Sequence, residues 1–211
     1  MKKIYLHPLP VRVWHWINAF SFLVLIFTGL QLRYRDIMKI TSFRTAVDIH
    51  NVFGFVLLFN FFIWLVYYLV SGKIKVYIPD FSLKGFVGGC IRQARYYGYG
   101  IFVGEENPHH CTPDNKFNPM QQVAYLNIMA VFIPLQIVTG ILMWDIKKYA
   151  YWIGLAGGIR IVDSVHVLLF LVFTSFFFVH IYLATLGHTT FAHIKAMVTG
   201  FEEEPEHGHT Y

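Results

Sequence analysis

Four long stretches of this chain contain no Asp, Glu, Lys or Arg. They run from Val13 to Leu32, from Ile49 to Gly72, from Phe117 to Trp144 and from Ser164 to Ile194. A helix rises ~1.5 Å per residue, so each stretch can cross the ~30 Å apolar core of a bilayer. Inside a bilayer the backbone must satisfy its own hydrogen bonds, which favours helices. The pattern predicts an all-α integral membrane protein, built as a four-helix transmembrane bundle.

The composition also indicates a membrane protein. Hydrophobic residues make up 56% of the 211 residues and charged residues 14%, whereas soluble domains carry roughly 25% charged residues. The net charge of +5 comes from cations in the loops. No basic helix or module of stacking aromatic residues accompanies it, so nucleic acid is not an expected partner.

Two segments lie outside the predicted spans. The segment from Lys73 to Phe117 joins spans two and three, and its glycines, Pro108 and aromatic residues predict short interfacial helices. The acidic stretch from Glu202 to Glu206 predicts a solvated, partly disordered end. We therefore divide the chain into a membrane domain, residues 1–201, and a C-terminal tail with acidic and histidine residues, 202–211.

The distribution of Lys and Arg indicates the orientation. With four spans, both termini and the long loop share one side of the membrane, and that side carries more of these cations than the other. The side with the termini carries ten, namely Lys2, Lys3, Arg12, Lys73, Lys75, Lys84, Arg92, Arg95, Lys116 and Lys195. The opposite side carries seven, namely Arg33, Arg35, Lys39, Arg44, Lys147, Lys148 and Arg160. The excess favours cytoplasmic termini in a multi-pass membrane protein.

The spacing of four histidines carries the functional prediction. His166 and His180 are fourteen residues apart in the fourth run, and fourteen helical residues turn ~1400° and rise roughly 21 Å. Their imidazoles therefore point to nearly the same side at two depths. His15 begins the first span and His50 begins the second, on opposite sides of the membrane. Depth alone pairs His15 with His180 and His50 with His166.

Two imidazoles can fill both axial positions of a haem iron. That arrangement leaves no position for oxygen or substrate, which suits electron transfer. Cys90 and Cys111 are the only cysteines, and no Cys-x-x-Cys-His motif is present. Covalent attachment is therefore excluded, and the four histidines predict two non-covalent b haems, one near each membrane surface.

Glycines lie where a flat porphyrin would meet a helix. Gly54 follows His50 by four residues on the same helix face, and Gly29 follows His15 by fourteen, at the level of the second pair. Gly140 in the third run is a further candidate. Close packing between helices is the alternative explanation for such glycines.

Arg12 lies one helical turn before His15, at the predicted membrane surface. A haem propionate would emerge there, and arginine binds a carboxylate in bidentate fashion. We predict that Arg12 pairs with that propionate. The alternative is a cationic surface anchor without a haem contact.

Two other metal-binding interpretations arise from the histidines. His109, His110 and Cys111 form a loop cluster, but a zinc site normally needs a fourth ligand. A histidine-lined transmembrane metal-ion transporter is the alternative function for the whole chain. Such a pathway usually contains intramembrane Asp or Glu, which the four runs lack.

Several motifs resemble a known family. The stretches from His7 to Trp16 and from Lys116 to Gln121, with the fourteen-residue spacing of His166 and His180, resemble the bacterial di-haem cytochrome b family. Its members are membrane subunits of respiratory formate dehydrogenases, nickel-iron hydrogenases and thiosulfate reductases. The likeness covers the chain from His7 to about Glu202, and it looks closest to the thiosulfate reductase branch.

The resemblance implies a bundle that anchors a periplasmic catalytic or electron-transfer subunit and exchanges electrons with a quinone, either menaquinone or ubiquinone. The partner would be an iron-sulfur protein, a hydrogenase, a molybdoenzyme or a multihaem cytochrome. The four haem ligands would be His15, His50, His166 and His180. Quinone would bind near Asn118, with Gln121 one helical turn further on. The alternative for Asn118 is an ordinary helix N-cap before Pro119.

Overall fold

The computed structural model describes residues 2–79, 82–109, 111–112, 115–187 and 189–204. Its regular elements, in chain order, are β1 Lys2–Tyr5, α1 Leu9–Arg33, α2 Phe43–Val70, α3 Gly88–Gly98, α4 Pro119–Asn127, α5 Ile133–Trp144, α6 Ala150–Leu155, α7 Ile159–Ala184, α8 Ala192–Thr199 and β2 Phe201–Glu204. Helices α4 and α5 are joined by a single π-helical turn, Ile128–Phe132, and together form the third span.

Four helical segments of the described chain are long and apolar enough to cross a membrane, namely α1, α2, the third span and α7. Their outer faces carry apolar side chains that a lipid would cover. On α2, for example, Phe59, Ile63, Val66 and Val70 are exposed at helical spacing. The predicted all-α integral membrane bundle is confirmed, and the chain is a multi-pass membrane protein.

The spans pack as two helical hairpins, because α1 lies along α2 and α5 lies along α7. Polar groups help to fix the first hairpin. The Asn60 side chain on α2 donates to the Trp14 carbonyl at 3.0 Å and to the Asn18 side chain at 2.9 Å. Such bonds hold membrane helices together where lipid supplies no alternative partner.

The fourth span differs at both ends from the charge-free run. Helix α7 begins at Ile159, five residues before Ser164, and ends at Ala184, ten before Ile194. Its first turns include Asp163, which forms an ion pair with Arg33 of α1 at 3.7 Å. The apolar residues after Ala184 lead into the short helix α8. Hydropathy alone does not separate the end of a span from an interfacial helix that follows it.

The loop between the second and third spans contains the short helices that its composition predicts. After a 3₁₀ turn at Lys73–Tyr77 come a π-helical turn at Leu83–Val87, then α3, and another 3₁₀ turn at Gly100–Val103. Arg95 of α3 forms an ion pair with Glu105 at 2.6 Å, which ties the helix to the chain that follows it. The first 3₁₀ turn contacts α2 and α4, and α3 contacts α4, so the loop is folded onto the end of the bundle.

The two ends of the chain meet in a small structure that we call the terminal clasp, formed by β1, β2 and α8. Strands β1 and β2 pair antiparallel, with Lys3 opposite Glu203. The Glu203 carboxylate also lies 3.0 Å from the Lys195 ammonium on α8. Pairing of the strands places both ends of the described chain on one side of the bundle.

The first residues of the acidic tail are part of the terminal clasp. The acidic composition predicts a solvated, partly disordered end from Glu202, but the backbone of Glu202–Glu204 forms β2. The reason is a partner distant in the chain, since the basic N-terminal strand supplies both hydrogen bonds and opposite charge. Residues 205–211 lie outside the described residues.

Acid is expected to loosen the terminal clasp through His7. Burial and the nearby Lys116 ammonium lower the pKa of His7 to about 3. A histidine held neutral by the fold stabilises it above the unfolded pKa of ~6.5, and that stability is lost as pH falls towards the folded value. The protection factors of the β1 and α8 amides in nanodiscs, with the intrinsic pH dependence of amide exchange divided out, should therefore fall between pH 6.5 and 4. A His7→Gln variant should lose this fall, and equal pH dependence of the protection factors in both proteins would contradict the assignment.

Candidate haem sites

The structure brings the four intramembrane histidines together in the pairs that depth predicts. The ring centroids of His15 and His180 are 6.0 Å apart, and those of His50 and His166 are 6.4 Å apart. Helix α7 supplies one histidine to each pair, and α1 and α2 supply the others. One pair therefore lies near each end of α7.

The separation of the rings suits an iron between them. With ~2.0–2.1 Å from metal to imidazole nitrogen and roughly another 1.1 Å to the ring centre, two imidazoles on opposite sides of one metal have centroids about 6.2–6.4 Å apart. The observed values of 6.0 and 6.4 Å agree with this figure. The donor set of two neutral nitrogens is that of a b haem with two axial histidines. Both pairs thus fit the group that the sequence predicts.

The His50 and His166 rings are held by hydrogen bonds to residues that the sequence pattern does not single out. The Thr28 hydroxyl lies 2.9 Å from His50 Nδ1, and the Thr139 hydroxyl lies 2.9 Å from His166 Nδ1. The Gln136 amide nitrogen lies 3.1 Å from His166 Nε2. Gln136 thus points at the nitrogen that would bind a metal, and its amide must turn away for His166 to do so.

The other pair has an aromatic environment. Phe176, one turn before His180, stacks on it with centroids 5.6 Å apart and an interplanar angle of 23°. Trp16 contacts the edge of the His15 ring at 5.2 Å. His15 Nδ1 is buried and makes no hydrogen bond to the described residues. The two histidine pairs therefore differ in how their outer nitrogens are satisfied.

Gly29 and Gly140 lie directly against histidine rings. A Cβ at Gly29 would be 3.5 Å from His50 Cε1, and one at Gly140 would be 3.3 Å from His166 Cε1. A side chain at Gly140 would press on the His166 imidazole, whereas a Cβ at Gly29 would only reach ordinary van der Waals contact with His50. Gly54 instead has no neighbour within 4 Å of its would-be Cβ among the described atoms, which leaves its helix face flat.

Arg12 contacts the terminal clasp. Its guanidinium donates to the Val198 carbonyl in the last turn of α8, and the Trp16 indole donates to the Met197 carbonyl at 3.2 Å. A cation is favourable at the C-terminal end of a helix, where carbonyl groups lack partners. Arg12 Nε is buried without a partner among the described residues. The Nε–H group of Arg12 is therefore available to donate to a further acceptor.

Asn118 forms the N-cap of the third span, as one of its two interpretations predicts. Its side-chain oxygen accepts from the Gln121 backbone at 3.0 Å, and the Gln121 side-chain oxygen accepts from the Asn118 backbone at 3.1 Å. The Asn118 amide donates to the Tyr97 hydroxyl at 3.0 Å. Burial raises the pKa of Tyr97, so the hydroxyl stays protonated. The role of Tyr97 was not visible in the sequence, because α3 lies far from the third span in the chain.

A row of aromatic rings leads from this cap to His180. Phe117 contacts Tyr125 at 4.8 Å, Tyr125 contacts Phe176 at 6.1 Å, and Phe176 stacks on His180. The start of the third span is therefore connected with the His15/His180 pair by apolar, planar side chains. Such a lining suits a flat, apolar ring compound.

Two other features near the loop are separate from the histidine pairs. A cavity of about 480 Å³ beside the third span is lined by Lys75, Arg92 and others, but by none of the four histidines. Within the described residues, no group of three or more His, Cys, Asp or Glu side chains could hold a metal ion. His110 lies outside those residues, and Cys111 donates to the Lys116 carbonyl at 3.5 Å.

Comparison with known proteins gives the family. The model of the prokaryotic cytochrome b561 family matches residues 6–200. A candidate cytochrome, YdhU, of Escherichia coli (strain K12) is 34% identical over 208 residues, which cover 95% of this chain and 75% of that protein.

Two relatives carry the names of enzyme complexes. The probable Ni/Fe-hydrogenase B-type cytochrome subunit of Rhizobium leguminosarum bv. viciae is 23% identical, with 87% of this chain and 81% of that protein covered. The formate dehydrogenase cytochrome b556 subunit of Haemophilus influenzae is 25% identical, with 86% and 71% covered. No solved structure gave a significant match. The predicted cytochrome b family is thereby confirmed, and this multi-pass membrane protein belongs to the prokaryotic cytochrome b561 family.

Proposed function

We propose that this chain is a di-haem b-type cytochrome subunit that transfers electrons between a quinone and a periplasmic oxidoreductase partner. The observation that carries the proposal is the presence of two imidazole pairs at the separation required by an iron with two axial histidines. They lie near opposite ends of one membrane-spanning helix. Two redox centres at those depths would connect the two membrane surfaces.

Two histidines at each site would fill the positions through which a haem could bind substrate, so the haem would supply one-electron transfer only. In this proposal His15 and His180 hold one such haem, and His50 and His166 hold the other. Gly54 gives one porphyrin a flat helix face. Phe59 and Val66 are exposed on the outer face of α2, which lipid would cover.

The quinone is proposed to react at the level of His15 and His180. Two features support this location, namely the aromatic row from Phe117 to His180 and the polar groups at the start of the third span. The Gln121 amide nitrogen makes no hydrogen bond to the described residues and can donate to a quinone carbonyl. Asn118 can do so only by giving up Tyr97. Menaquinone and ubiquinone share the carbonyl that these donors would recognise.

The termini are proposed to face the cytoplasm in the bacterial inner membrane, in line with the excess of Lys and Arg on their side. The partner then docks at the opposite face, near His50 and His166. Relatives named as hydrogenase and formate dehydrogenase subunits support a catalytic partner of that general kind. An iron-sulfur protein, a molybdoenzyme or a multihaem cytochrome would serve the same purpose.

A reduced-minus-oxidised optical spectrum of the purified protein tests the proposal. We expect the sharp absorption bands of b haem, and a ratio of two haems to one polypeptide. Addition of a quinol should reduce at least one haem. A protein without these bands that carries divalent metal ions across vesicles would instead support the histidine-lined transporter.

Replacement of Arg12 by Gln tests the predicted contact with a haem propionate. Loss of a cation near the haem favours the oxidised, more positive state, so one of the two reduction potentials should fall. An optical potentiometric titration measures both. Arg12→Lys is the matched control, because it keeps the positive charge while changing the hydrogen bonds that the guanidinium makes. Unchanged reduction potentials in Arg12→Gln would mean that Arg12 only links α1 to α8 and does not contact a haem propionate.

A further inference from the structure

The two histidines near the start of α7 and α2 have matching partners on the neighbouring helices. Thr28 of α1 contacts Nδ1 of His50, and Thr139 of α5 contacts Nδ1 of His166, both at 2.9 Å. In each case the threonine belongs to the other helix of the same hairpin. The arrangement around this pair is therefore repeated in the two halves of the bundle.

The direction of these hydrogen bonds follows from counting hydrogens. A threonine hydroxyl carries one hydrogen. Thr28 Oγ1 lies 2.7 Å from the Val24 carbonyl, and Thr139 Oγ1 lies 2.9 Å from the Leu135 carbonyl. Because a carbonyl can only accept, each hydroxyl donates there. Both hydroxyl oxygens must then accept from the imidazoles, so Nδ1 carries the proton and Nε2 keeps its lone pair.

An independent contact supports the same tautomer for His166. The Gln136 amide nitrogen, which can only donate, lies 3.1 Å from His166 Nε2. Nε2 is therefore the acceptor in this contact. The contacts at both nitrogens of His166 therefore place the lone pair on Nε2, the nitrogen that would bind a metal.

A glycine follows each of the two threonines. The Thr28-Gly29 and Thr139-Gly140 pairs present a hydroxyl to Nδ1 and a bare backbone to Cε1 of the same ring. At 3.3 Å, a Cβ at Gly140 would force the His166 ring to move. The Thr139-Gly140 pair therefore fixes the position of the His166 imidazole as well as its proton, whereas the Thr28-Gly29 pair fixes the proton of His50 and leaves ordinary contact space beside its ring.

We infer that Thr28 and Thr139 are positioning residues that lower the reduction potential of the haem held by His50 and His166. The inference rests on the proposed di-haem function. An acceptor on the outer N–H makes an imidazole a stronger electron donor, and stronger donation stabilises ferric iron. His15 has no such acceptor among the described residues. The two haems of one chain would thus differ in potential.

The test is an optical potentiometric titration of Thr28→Val and Thr139→Val in the full-length protein. Valine keeps the shape of threonine and removes the acceptor. We expect one of the two potentials to rise in each variant, by about threefold to tenfold in the reduction equilibrium constant, or roughly 30–59 mV for one electron. The other potential should stay in place. Thr28→Ser and Thr139→Ser, which keep the hydroxyl, should retain the wild-type values.

Thr174→Val is the matched control. Its hydroxyl donates to the Phe170 carbonyl within α7, as those of Thr28 and Thr139 do within their own helices. It has no hydrogen bond to a histidine among the described residues, so its removal should leave both potentials unchanged. A shift of equal size in this variant would attribute the effect to the helix rather than to the imidazole.

Other outcomes separate this inference from the proposed function. Two bound haems with unchanged potentials in both valine variants would overturn the inference and leave the di-haem function intact. If the valine variants lose haem, the reduction potentials of the serine variants test the inference instead. Altered potentials in the serine variants, which keep the hydroxyl, would overturn the inference. A wild-type protein with fewer than two b haems would instead refute the proposed function itself.

Discussion

Alanine in place of His166 is expected to remove one of two b haems and to leave the other in place. His166 and His50 share one pair, whereas His15 and His180 form the other roughly 21 Å away along α7. The loss of one axial nitrogen should release the haem at its own level only. A pyridine haemochrome assay on the purified protein should then fall from two haems per chain to one. The remaining haem should keep the wild-type potential of the His15/His180 site.

Three further variants make this result specific. His50→Ala should reproduce the loss caused by His166→Ala, and His180→Ala should remove the other haem. His193→Ala is the control, because His193 lies on α8 and pairs with Glu202 at 3.0 Å, outside the four spans. It should keep both haems. Retention of two haems in His166→Ala, at normal amounts of protein in the membrane, would refute the assigned ligand.

Leucine in place of Asn118 is expected to slow the reduction of haem by quinol while both haem spectra stay intact. Asn118 caps the third span and donates to Tyr97 in the structure. In the proposed site its amide, with that of Gln121, would face the quinone carbonyl. Stopped-flow mixing with a reduced quinone analogue measures the rate, which should fall by at least tenfold if one charge-assisted hydrogen bond is lost.

Loss of the cap alone could also disturb the start of the helix, at a cost of about 1 kcal/mol. Asn118→Asp separates the two roles, since a carboxylate is a good N-cap acceptor but lacks the amide donor. A slow Asp variant supports quinone binding by the amide. A fast Asp variant with a slow Leu variant assigns Asn118 to the cap. Tyr97→Phe, which removes only the hydroxyl that Asn118 contacts, shows whether freeing the amide changes the rate.

The sequence was sufficient for features that depend on local pattern. A charge-free stretch of twenty or more residues has few alternatives to a membrane helix, so the four spans were predicted with errors only at their ends. The largest error concerned the residues after Ala184, which form a connection and α8 rather than more of the fourth span. The pairing of the rings in depth also followed from local pattern, because helix geometry fixes the angle between His166 and His180.

Only the tertiary structure decided which residues surround each histidine. Thr28 meets His50 across 22 positions of the chain, and Arg12 reaches Val198 across 186. The sequence predicted a free acidic tail from Glu202, but the pairing of β1 with β2 made its first residues part of the fold. Periodicity and hydropathy describe one segment at a time. Hydrogen bonds between segments depend on how the helices are rotated and spaced against one another, and that is set by the packing of the whole bundle.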